Sequence, residues 1–69
     1  MKFILIMTIC SSINSSCVEP QIINSYDTWK ECAINGYKKS IEVLNELPNE
    51  TFEEQRSYTK FICKENNLV

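Results

Sequence analysis

At 69 residues the chain has room for one domain, taken as 1–69. A core that small supplies only about 3–5 kcal/mol of net stability, so natural chains of this size add staples. Seven Lys and Arg against nine Asp and Glu give a net charge of −2. There is no basic patch, so nothing electrostatic favours a nucleic-acid partner. His is absent, which removes the commonest general base and metal ligand.

The opening run Phe3 to Ile9 is apolar apart from Thr8. It has two readings. As a leader, Met1-Lys2 supplies the positive end, the apolar run follows, and small polar residues lead to a cut after Ser16. Cys17 would then be the new N-terminus, open to acylation, although Asn14 stands where a lipoprotein signal normally has Leu. The run is far too short to span a membrane, which takes about 20 apolar residues. As a strand, Phe3, Ile4, Ile6 and Ile9 are aromatic or β-branched, and Ser11 to Ser16 supply the turn that ends it. The residues alone leave both readings open. Glu19, before Pro20, is extended, and Gln21-Ile22-Ile23 is too short to assign.

The spacing from Ser25 to Leu47 predicts the organising element, an amphipathic helix over 25–47. Ser25 is placed as its cap, Asp27 in its first turn, and Pro48 ends it. One face collects Tyr26, Trp29, Ala33, Gly36, Tyr37, Ser40, Leu44 and Leu47. The opposite face collects Asp27, Glu31, Asn35, Lys38, Glu42 and Glu46, with Lys38 and Glu42 as an i,i+4 pair. Gly36 inside a helix costs about 1 kcal/mol against Ala. With Ser40 it forms a notch that lets a second backbone come close. Trp29, Tyr26 and Tyr37 can be read as a stacking platform, but aromatics at helical spacing are more often core.

Thr51 to Glu54 matches a capping box, which predicts a helical turn near 51–57. Tyr58 to Lys64 then alternates as a strand, Thr59, Phe61 and Cys63 on one face and Tyr58, Lys60 and Ile62 on the other. Lys60 and Lys64 mark a solvent-facing edge. The tail 65–69 is polar.

The four cysteines, Cys10, Cys17, Cys32 and Cys63, are the disulfide candidates. Their number favours an oxidising compartment, periplasmic or extracellular, over a cytoplasmic one. The pairing favoured on the strand reading is Cys17–Cys32 and Cys10–Cys63; the leader reading pairs Cys32 with Cys63. Intervening lengths of six, fourteen and thirty residues contain no C-x-x-C, so neither a zinc knuckle nor a thioredoxin-type motif is signalled. No catalytic constellation, cofactor motif or phosphate loop is present.

The opening KFILIMTICSSI, the Cys17-Val-Glu-Pro junction, the Cys32 to Tyr37 run and Lys60-Phe-Ile-Cys63 together resemble a group of short uncharacterised proteins predicted in phage genomes of marine type. The likeness runs over nearly the whole chain, except that Glu19-Pro20 stands where those proteins often have Pro-Pro. It implies no activity. It implies that the opening run belongs to the fold, and so favours the strand.

The resulting expectation is an α+β fold: a two-stranded β-α-β unit with strands near 3–10 and 58–64, one long helix, and disulfide staples. Such a unit leaves one sheet face bare. The expected role is a non-enzymatic interaction or phage accessory protein, binding a protein partner or a second copy, with no cofactor, no metal and no nucleic acid. The alternative is a small exported or lipid-anchored envelope protein, reaching a membrane only through a lipidated Cys17.

Overall fold

The computed structural model describes residues 2–66. In chain order they form β1 (Lys2–Ser11), β2 (Gln21–Tyr26), α1 (Trp29–Glu46), α2 (Asn49–Gln55) and β3 (Ser57–Asn66). The fold is a small α+β unit held by two disulfides. Its sheet has three antiparallel strands in the order β2-β1-β3, where two strands were expected.

The opening run is the central strand. Its mixture of β-branched and long apolar residues suits a strand paired on both edges. It forms a continuous ladder with β3, from Lys2 opposite Asn66 to Ser11 opposite Ser57. On its other edge it pairs with β2, Phe3 opposite Tyr26 and Ile6 opposite Ile22, with a bulge that skips Ile23. The polar Asn24 and Ser25 hide β2 in the sequence; it forms because β1 offers it a ready template. The chain between them turns at Ser12–Asn14. The Ser11 amide donates to Ser16 O (2.8 Å) and the Val18 amide to Ile9 O (2.9 Å), so Cys10 and Cys17 lie side by side.

Helix α1 begins at Trp29, later than expected. Ser25 belongs to β2, opposite Ile4, and does not cap. Thr28 does: its backbone is extended and its Oγ1 accepts the Glu31 amide at 3.1 Å. Leu47 closes the helix, its amide donating to Leu44 O, and Pro48 follows. The predicted Lys38–Glu42 pair is replaced by Lys39–Glu42 at 3.2 Å, one residue shorter in spacing. Helix α2 starts at Asn49, before the Thr51 capping box, with no side-chain cap. Arg56, in the left-handed region at φ 48°, turns the chain from α2 into β3. Of the polar tail, Glu65 and Asn66 continue β3; the remainder lies outside the described residues.

Helix α1 covers one face of the sheet, the face of Phe3, Leu5, Phe61 and Cys63. Trp29 meets Phe3 edge-on with ring centroids 5.8 Å apart, and Tyr37 meets Phe61 edge-on at 5.0 Å. The buried apolar core is Leu5, Met7, Cys10 and Cys32. Half of that core is cystine, so the staples carry the role a larger chain gives to packing. The molecule is a thin slab, 41 × 19 × 13 Å, with a radius of gyration of 13.2 Å. A compact chain of this length would have about 11 Å. The excess reflects a sheet with a helix on one side only.

Candidate interaction surfaces

All four cysteines are used, as Cys10–Cys17 and Cys32–Cys63. This corrects the favoured pairing. Side chains alternate along a strand. Cys63, opposite Leu5, lies on the helix side, whereas Cys10, opposite Tyr58, lies on the other side and five register positions away. One bridge could not join them. Cys32 reaches Cys63 because α1 lies over β3, with the two Cα atoms 6.1 Å apart.

Cys32 sets the rotation of the helix. Cys32 and Gly36 are its buried residues, and Ala33, Ser40, Val43 and Leu44 are half-buried. Gly36 gives a notch, as expected, but the ring of Phe61 fills it where a second backbone was expected. A Cβ there would lie 2.3–2.6 Å from three ring carbons of Phe61, closer than any real contact. The Ser40 hydroxyl turns back to donate to Gly36 O at 2.9 Å. Trp29 and Tyr37, expected in the core, are 58% and 68% exposed. With Cys32 and Gly36 facing the sheet, they stand to the side, above the outer edge of β3.

Two surfaces result. The first is a groove of about 750 Å³ between α1 and β3. Trp29, Ala33, Tyr37 and Ser40 form one wall; the floor is Thr59 to Cys63. Five consecutive strand residues line it, whereas a strand face would present only alternate ones. The groove therefore exposes the edge of β3, which among the described residues has no strand on that side.

The second surface is the sheet face away from α1. It carries Ile4 and Ile6, both half-buried, with Ile22 71% exposed and Ile62 59% exposed. Lys60 and Lys64 stand on the same face. A hollow of about 270 Å³ lies there, lined in part by Ile6, Thr8, Pro20 and Ile62. The Thr8 hydroxyl is satisfied by the Val18 carbonyl. Phe61 and Ile22 were not singled out as site residues. Phe61 could have been matched to the Gly36 notch by its bulk, but Ile22 had no signal beyond β-branching.

The electrostatics are plain. Lys2 forms an ion pair with Asp27 between β1 and the entry to α1, and holds the Asp27 carboxyl below its ordinary range by hydrogen bond first and charge second. Among the described residues no group of three or more His, Cys, Asp or Glu is arranged to hold a metal ion, and no helix is long and apolar enough to cross a membrane. Comparison of the chain with protein-family models, curated proteins and solved structures finds no match.

Proposed function

We propose that the chain is a small non-enzymatic interaction protein that presents the uncovered face of its sheet to another protein surface. The observation that carries this reading is the exposure of Ile22 and Ile62 beside Ile4 and Ile6. Four isoleucines on one side of a sheet expose apolar area that water disfavours by about 25 cal/mol per Å², and such faces are commonly contact sites. An accessory role on a host component fits the likeness to short phage-genome proteins. Sedimentation velocity across a concentration series tests the reading. Self-association, or a defined complex with a partner, is expected to weaken in Ile22→Lys, which places a charge at the most exposed isoleucine of the face. A strictly monomeric chain whose partner binding is indifferent to Ile22→Lys would overturn it.

The alternative, an exported or lipid-anchored envelope protein, would discard residues 1–16 and acylate Cys17. In this fold Cys17 is bonded to Cys10, and residues 2–11 are the strand joining β2 to β3. Both features support the intact chain as the working form. Intact mass before and after reduction separates the readings: the alternative gives a chain starting at Cys17 with an acyl increment.

A further inference from the structure

We propose that the groove between α1 and the outer edge of β3 is a strand-addition site for an acidic, extended segment of a partner protein. This site adjoins the uncovered sheet face and shares Lys60 and Lys64 with it, but Ile22→Lys disturbs that face without touching the edge of β3, so either can fail alone.

The argument starts from the apolar arc of α1. Cys32 and Gly36 are buried over the sheet, but Trp29 and Tyr37, which line the groove beside β3, are 58% and 68% exposed. The arc is thus wider than three strands cover, and the uncovered part overhangs the position of a missing fourth strand. Below it, β3 offers an open edge whose outward N–H and C=O groups can pair with an added strand. The lengths agree. From Trp29 to Ser40 the helix wall rises about 16 Å, and Thr59 to Cys63 spans about 14 Å, room for five or six residues of an extended chain.

Charge decides the occupant. Lys60 and Lys64 lie four apart on the face away from the helix, both exposed, and neither has an ion-pair partner among the described residues. A second copy pairing β3 to β3 about Ile62 would set Lys60 opposite Lys64, and like charges directly opposed across a ladder are destabilising. An incoming strand with carboxylates opposite Lys60 and Lys64 gains at the same two positions. Its intervening residues on the other face meet Trp29, Ala33 and Tyr37 and must be apolar. The fitting partner therefore reads acidic, apolar, any, apolar, acidic.

The test uses the full disulfide-bonded chain and two blocked synthetic hexapeptides alternating Val with Glu or with Lys at the two charged positions. Trp29 emission and backbone amide shifts are followed during titration. The Glu peptide is expected to bind at least tenfold more tightly than the Lys peptide, to shift and protect the amides of β3, and to weaken with salt. Lys60→Glu/Lys64→Glu, two exposed changes, is expected to reverse the preference. Ile22→Lys, on the far strand, is expected to leave peptide binding unchanged. Equal binding of both peptides, no binding at millimolar peptide, shifts confined to β2 residues, or a chain that dimerises through β3 would each overturn the proposal.

Discussion

Gly36 lies against the Phe61 ring, and the contact sets two effects against each other. Replacing Gly36 by Ala gains about 1 kcal/mol of helix propensity, but the new methyl group overlaps the Phe61 ring, and overpacking of that kind costs about 1–3 kcal/mol. Gly36→Ala is therefore expected to lower stability in urea unfolding by up to about 2 kcal/mol. In a Phe61→Val background, where the ring is gone, the same change should become neutral or stabilising by up to about 1 kcal/mol. The notch was legible from Gly36 and Ser40; that a ring rather than a backbone occupies it was not, because residue 61 approaches only through the tertiary fold. Asp27 gives the second expectation. Its lowered pKa means that the ion pair with Lys2 stabilises the fold above the ordinary carboxylate range, and that this contribution is lost as pH falls through the folded-state value. Both partners are exposed, so the effect is small and weakened by salt. An NMR titration should find Asp27 below its usual range in the native protein and back within it in Lys2→Gln.

The elements differ in how they are secured. Cys32–Cys63 ties α1 to β3 across 31 residues, whereas Cys10–Cys17 closes a turn of seven. Chain entropy alone assigns about 3.7 kcal/mol to the longer loop and about 2.4 to the shorter. Against a net stability of about 3–5 kcal/mol for a chain of this size, Cys32→Ser/Cys63→Ser is expected to abolish the cooperative thermal transition, while Cys10→Ser/Cys17→Ser lowers its midpoint and keeps it. Helix α1 starts at Trp29 rather than near Ser25 for an identifiable reason. Thr28 to Glu31 has the same capping-box spacing as Thr51 to Glu54, and it is the one that marks a true helix start. At the second box, α2 has already begun at Asn49, so the motif is interior.

Across the described residues β1 is the strand paired on both edges. Removing residues 1–16 takes away Leu5, Met7 and Cys10, three of the four buried apolar side chains among the described residues, and leaves β2 and β3 without a shared neighbour. A chain beginning at Cys17 is expected to lose amide dispersion and show no cooperative urea transition. A well-folded truncated chain would instead support the leader reading. The thin shape follows from the same arrangement, since one long helix can cover only one side of a three-stranded sheet.

The sequence by itself determined the α+β class, the long helix with its Gly36 notch, the last strand and the need for staples. Each rests on a local signal: a period of 3.6 or 2, a breaker, or a count of cysteines. The tertiary structure decided the third strand, the disulfide partners and the rotation of α1. β2 has too little local preference to declare itself and exists because β1 pairs with it. Cystine pairing depends on which strand face and register position each Cys occupies, and Cys63 meets Cys32 only after β3 has aligned with β1. That one bond turns Cys32 and Gly36 toward the sheet and leaves Trp29 and Tyr37 standing over an open strand edge.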